Sequence, residues 1–218
     1  MQPTLAYDVY GTLIDTHGLV VTLHQLVGEQ AMAFSQLWRE KQLEYSFRRG
    51  LMQHYVTFAV CTAEALDYTC RRFKVALAET QKEQLLRGYH TLPAFEEVKP
   101  SLVRAKELGL RLFAFSNGSR DALEMLLGSA GIRELFLDLV SVDEVKSFKS
   151  NPGVYCHFLR RTGASGRAAW LISSNPFDVI GAISAGMKAA WVKRAEDAVF
   201  DPWGIEPTLT VSNLSGLA

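Results

Sequence analysis

Between Pro100 and Val192, short apolar runs alternate with stretches in which apolar residues recur every three or four positions. The pattern predicts helices over Ser101–Leu108, Asp121–Ala130, Val154–Arg161 and Phe177–Ala185. The runs Leu110–Phe115, Leu137–Ser141, Ala168–Ile172 and Lys188–Val192 between and after them read as strands. Gly109 stands where a helix C-cap is needed. Earlier, Thr4–Val9 is apolar, rich in strand formers, and stops at a Gly-Thr turn. From Gly18 to Tyr89 the texture is helical throughout. Phe34, Leu37, Trp38, Lys41 and Tyr45 keep a spacing of three and four, as do Ala65, Thr69 and Phe73. Pro93 and Pro100 punctuate the return to the alternating regime. Apolar strands alternating with helices imply a parallel sheet covered on both faces. The expected fold is therefore α/β, with a core domain from residues 1–15 and 94–218 and an all-helical domain, 16–93, inserted after the first strand.

Composition narrows the function. At 218 residues the chain has room for one domain with a modest insert and needs no disulfide or metal to fold. Apolar residues are 48% and charged residues 21%, close to the globular average, which argues against a disordered or fibrous protein. Lys plus Arg and Asp plus Glu number 23 each, so no basic excess points to nucleic acid. Cys61, Cys70 and Cys156 form no C-x-x-C pair. They read as reduced thiols in a cytoplasmic protein, the first two on helices. The opening MQPTLAYDVYGTLID lacks a basic stretch and is broken by Asp8, so it is not expected to be a signal peptide. No run approaches the ~20 apolar residues that a membrane span needs. The five histidines are scattered without metal spacing, and no P-loop, G-x-S-x-G or G-x-G-x-x-G occurs. No metal or cofactor is expected.

In open parallel sheets, ligands bind beyond the carboxyl ends of the strands. Polar residues gather at those ends: Asp8 and Tyr10 after the first strand, Ser116 and Asn117 after another, and Ser173, Ser174, Asn175 and Asp178 after a third. Lys149 sits in the loop leaving Leu137–Ser141.

These residues carry a family signature. Asp8-Val9-Tyr10-Gly11-Thr12-Leu13-Ile14-Asp15 resembles the first motif of the haloacid dehalogenase (HAD) superfamily, a strand ending in a nucleophilic aspartate. Ser116-Asn117-Gly118-Ser119 resembles the second, Lys149 with Tyr155 the third, and Ser173-Ser174-Asn175-Pro176-Phe177-Asp178 the fourth. The segment Leu37–Tyr45 is similar to the cap of the L-2-haloacid dehalogenase branch. That branch uses no magnesium, and Tyr10 stands where the phosphatases of the superfamily carry a second aspartate. The resemblance spans nearly the whole chain in order. It implies a HAD-like Rossmannoid core under a helical cap.

It also implies a reaction: a carboxylate oxygen of Asp8 displaces halide from C2 of a short L-2-haloacid, and water then hydrolyses the resulting aspartyl ester to a D-2-hydroxy acid. An anion attacking an anionic substrate at ~4 Å is opposed by about 4 kcal/mol at an effective dielectric near 20. Since ~1.4 kcal/mol is a factor of ten in rate, a cation is required, and Lys149 is the candidate. Thr12 positions Asp8. Ser116, with Asn117 and backbone amides near Val9 and Tyr10, fixes the substrate carboxylate. Arg39 receives the departing halide with Asn175 assisting, a use of donors that favours the transition state. Tyr10 is a further substrate-binding residue, and Leu43, Phe58 and Phe177 contribute the apolar wall, although a core role for each of these three is as consistent with the pattern. Asp178 positions or deprotonates water, unless it is a helix N-cap. Ser173, Asn175 and Tyr155 orient the Lys149–Asp178 cluster.

Three departures stand out. Glu40 follows Arg39 where a glutamine is usual, no proline directly follows Lys149, and Phe177 replaces a tryptophan. A carboxylate at Glu40 facing the leaving group suits a protonated amine better than a halide. Hydrolysis of another 2-substituted acid, a HAD phosphatase and a catalytically silent binding module on the same fold therefore remain as alternatives. The expected partners are a small 2-haloacid and water, with no nucleic acid and no membrane. Relatives of this kind are often homodimers through the insert, which the resemblance extends to this chain.

Overall fold

The computed structural model describes residues 2–217. Six parallel strands form one sheet in the order β3-β2-β1-β4-β5-β6. The strands are β1 (Thr4–Tyr7), β2 (Arg111–Ser116), β3 (Asp138–Ser141), β4 (Ala169–Ser173), β5 (Lys188–Val192) and β6 (Leu209–Val211). β1 pairs with both β2 and β4, in register Tyr7 with Ala114 and Ile172. From β1 the chain winds to β2 and β3 on one side, then crosses to β4, β5 and β6 on the other, so the sheet's reversal point opens beside β1.

Strand side chains alternate between faces, and the core follows that alternation. Leu5, Tyr7, Leu112 and Ala114 join one apolar cluster, while Ala6, Phe113, Phe115 and Leu171 join the other. Helices α7 (Pro152–Thr162) and α8 (Pro176–Ser184) supply Tyr155, Phe158 and Val179 to the second cluster. The first cluster takes in α5 (Val98–Glu107), α6 (Arg120–Ser129) and the four helices between β1 and α5. Those are α1 (Val20–Val27), α2 (Ala31–Leu51), α3 (Phe58–Phe73) and α4 (Glu79–Gly88). Their buried Leu23, Phe34, Trp38, Leu66 and Leu85 are continuous with the sheet's core.

The two chain segments joining the helices to the sheet run side by side. The Ile14–Ala94 bridge, Phe95 N to Leu13 O (3.1 Å) and Asp15 N to Pro93 O (2.8 Å) tie them together. The helix α5 begins before Pro100, not after it. Pro100 occupies its first turn, where a missing N–H costs nothing. β6 carries no sequence signal, because its three residues lie at the sheet's edge and are largely exposed. On α2 the buried stripe turns polar at Gln42 and Ser46, with Lys41 and Tyr45 only flanking it. Among the described residues, no helix is long and apolar enough to cross a membrane.

Candidate active site

Asp8 lies one residue beyond β1, its N–H donating to Ile172 O at 2.9 Å. The chain then turns sharply, the amides of Leu13 and Ile14 donating to Val9 O at 2.9 and 3.0 Å. Gly11 takes φ 82° in that turn, a conformation in which a side chain would be strained. The turn swings Thr12 back, so its hydroxyl donates to Asp8 Oδ2 at 2.8 Å. Asn175 Nδ2 donates to the same oxygen at 2.8 Å, and Ser173 Oγ approaches it at 3.4 Å. Oδ1 faces one donor, Lys149 Nζ at 3.0 Å. The two oxygens of Asp8 are thus solvated unequally.

Lys149 is 2% exposed. Its Nζ donates to Asp8 Oδ1, to Asp178 Oδ2 at 2.7 Å and to Phe115 O at 2.8 Å, which commits all three ammonium protons. The ammonium also lies 4.4 Å from the centre of the Phe115 ring. Burial alone pushes the Lys149 ammonium down, but the Asp178 and Asp8 carboxylates outweigh it and hold it above the usual lysine range. Removing one member of so buried a set would cost about 3–5 kcal/mol, because it strands the others. A substrate carboxylate therefore gains the charge of Lys149 without a hydrogen bond to it, unless an existing one is released.

Asp178 is not a helix N-cap. Asn175 holds that position, and Asp178 is the third residue of α8, in its first turn, where the helix dipole favours a carboxylate. Tyr155, from α7, donates to Asp178 Oδ1 at 2.8 Å. Burial pushes the Asp178 carboxyl up to about 6; Lys149 opposes the rise and Asp8 adds to it.

The remaining expected residues divide. Ser116 Oγ, at the end of β2, accepts from Gly118 N at 3.1 Å, leaving its proton to donate. Asn117 Oδ1 accepts from Lys149 N at 2.9 Å, so this side chain shapes the lysine's loop. Arg39 on α2 donates to Gln42 Oε1 at 2.7 Å and reaches Tyr10 O at 3.5 Å. Asn175 Nδ2 approaches the same carbonyl at 3.4 Å, so the insert and the sheet converge on one atom. Glu40 is not brought to the site. One residue along the helix from Arg39 turns it outward, where it is exposed and accepts from Gln36 at 2.9 Å. The argument for an amine leaving group therefore loses its basis.

A cavity of about 340 Å³ opens between Tyr10, Gln42, Phe58, Tyr89, His90 and Gly118. Asp8, Lys149 and Arg39 are not among its lining residues, so the cavity adjoins the Asp8 cluster through Tyr10 and Gly118. Of the three apolar residues assigned to wall or core, Phe58 lines it, Leu43 packs against the main core and Phe177 stacks edge-on against Phe47 at 4.9 Å. Gln42 bridges Arg39 to Thr62 and the Phe115 carbonyl lies under Lys149, two roles with no signal in local spacing. Ser174, in the Ser173–Asp178 motif, is a residue whose part local spacing does not signal. Its N–H donates to Thr12 Oγ1 at 2.9 Å and its hydroxyl to Gly11 O at 2.8 Å, holding the turn after Asp8.

A family model described as a haloacid dehalogenase-like hydrolase matches residues 3–186. The (S)-2-haloacid dehalogenase H-109 of Pseudomonas putida is 38% identical over 221 residues, covering 100% of this chain and 98% of its own length. The haloacetate dehalogenase H-2 of Moraxella sp. (strain B) is 36% identical over 207 residues, covering 95% and 92%. The structure of L-2-haloacid dehalogenase from Xanthobacter autotrophicus with chloropropionic acid covalently bound superposes with a TM-score of 0.93 at 27% identity, covering 100% of this chain and 97% of that one. With matches of this length to both sequence and fold, the chain belongs to the haloacid dehalogenase-like hydrolases, in their L-2-haloacid dehalogenase branch.

Proposed function

We propose that this enzyme hydrolyses short L-2-haloacids to D-2-hydroxy acids through an ester on Asp8, without a divalent ion. The observation that carries the reading is the unequal solvation of the Asp8 carboxylate. Oδ1, with the Lys149 ammonium as its one donor, keeps a lone pair for attack. Its bond to C2 forms as the carbon–halogen bond breaks, with inversion, and the halide leaves toward Arg39 and Asn175. Oδ2 becomes the ester carbonyl, already surrounded by Thr12, Asn175 and Ser173. Those three donors form the oxyanion hole of the second step. Water attacks Cγ and gives a proton to Asp178, the Cγ–Oδ1 bond breaks, and the product alkoxide takes that proton, which leaves Asp178 ionised again. The product hydroxyl oxygen comes from Asp8, and solvent oxygen enters the enzyme.

Lys149 supplies the positive charge that a metal would otherwise bring, standing between Asp8 and Asp178. Ser116 and Asn117 meet the substrate carboxylate, Tyr10 and Phe58 its alkyl group, and Tyr155 holds the base. We read residues 16–93 as a cap closing over the sheet and carrying Arg39. The three free thiols, two of them buried, suit work in the cytoplasm.

Halide release from L- and D-2-chloropropionate, with and without EDTA, tests the proposal. We expect turnover of the L isomer that EDTA leaves unchanged and that Asp8→Asn lowers by roughly 1000-fold or more. Mass analysis of quenched enzyme should find the substrate's mass on the Asp8 peptide. Turnover that needs a metal, or that uses both isomers equally, would overturn it.

A further inference from the structure

Arg194 lies two residues beyond β5, among the carboxyl ends of the strands. One guanidinium nitrogen, Nη2, donates to the backbone carbonyl of Thr12, and the other, Nη1, donates to Glu97 Oε1 at 2.7 Å. The guanidinium carbon lies 3.7 Å from the centre of the Phe95 ring, the geometry of a planar cation stacked on an aromatic face. Its side chain is 16% exposed, and Nε is buried with no partner among the described residues. An orphaned donor is a cost that a fold keeps when the other contacts of the side chain matter more.

Those contacts meet at Thr12. Its hydroxyl donates to Asp8 Oδ2 and accepts from Ser174 N, and its carbonyl is held by Arg194. The same guanidinium grips Phe95 and Glu97, where the chain returns from the insert, and Phe95 N donates to Leu13 O beside Thr12. Arg194 therefore anchors the nucleophile turn and the returning segment to one rigid plane. Glu97 neutralises the guanidinium, so its contribution to Asp8 is geometry rather than charge.

We propose that Arg194 is a positioning residue for ester hydrolysis: it holds Thr12 as an oxyanion-hole donor through the Thr12 carbonyl, and it ties that donor to the segment returning from the insert. The inference rests on the reading that Asp8 Oδ2 becomes the ester carbonyl. Displacement of halide at Oδ1 depends little on Thr12, whereas attack of water on Cγ places a full negative charge on Oδ2. Loosening Thr12 should then slow the second step selectively.

The test is rapid-quench single turnover of L-2-chloropropionate with Arg194→Lys and Arg194→Met, following the ester on the Asp8 peptide by mass. Arg194→Lys keeps the charge facing Glu97 and one donor, and a thermal melt establishes that each variant is folded. We expect ester decay to slow roughly tenfold or more in Arg194→Met, with formation within about threefold of the parent. Arg194→Lys should fall between the two. At steady state kcat and KM should drop together, so kcat/KM changes little. Unchanged decay in a folded variant, or formation slowed as much as decay, would overturn the role of Arg194. Failure of the parent enzyme to form any ester would instead overturn the proposed reaction.

Discussion

Asp178 takes on the pH dependence of the site. In the proposed reaction its carboxyl must be ionised to accept a proton from water, and burial raises it to about 6. The ionised fraction grows as pH rises, so the rate of ester hydrolysis should climb through a limb near pH 6 and level off above it. The Tyr155 hydroxyl stabilises the ionised form through its 2.8 Å hydrogen bond. Tyr155→Phe should therefore move the limb upward and lower kcat below it, a shift that a pH profile of kcat measures directly. An unmoved limb would mean that another group sets it. These residue types and their places along the chain were legible in the sequence. Their division of labour was not: Lys149 reaches Asp8 across 141 residues, and Ser173 and Asn175 reach Asp8 Oδ2 across 165 and 167.

At the scale of elements, the site depends on how closely α7 and α8 approach. Gly181, on α8, faces Tyr155: a Cβ there would lie 2.4 Å from the Tyr155 hydroxyl and 2.8 Å from its ring. Gly181→Ala should push the tyrosine off Asp178. Overpacking of this kind costs about 1–3 kcal/mol, and in a chain of this size each kcal/mol lowers the melting temperature by roughly 2–4 °C. We expect a melting point several degrees lower and a loss of kcat like that of Tyr155→Phe, checked by a thermal melt beside steady-state kinetics. The elements themselves were largely legible, because their apolar spacing is local. The apolar run Lys188–Val192 predicts a strand with the bounds the structure has. The start of α5 and the edge strand β6 were not legible, since helix-first-turn proline and short exposed strands leave little trace in periodicity.

Across the whole molecule, the site exists only where the insert meets the sheet. Arg39 comes from α2 and Asn175 from the start of α8, and both reach Tyr10 O. Donors to a departing halide matter most when it leaves reluctantly. Arg39→Ala should therefore lower kcat/KM for L-2-chloropropionate by a larger factor than for L-2-bromopropionate. Equal losses, measured side by side, would remove Arg39 from the leaving-group site. The sequence by itself determined the alternation of strands and helices, the helical stretch between the first two strands, and two carboxylates, Asp8 and Asp178, after strand ends with Lys149 in a loop, because each is written in local spacing and in motifs. Only the tertiary structure decided that Glu40 faces solvent while Gln42 turns inward, that Leu43 packs against the core and Phe177 against Phe47, and that Arg194 reaches back to Thr12. Those outcomes depend on the rotation of a helix about its axis and on contacts between distant segments. Neither leaves a mark in the order of residues along the chain.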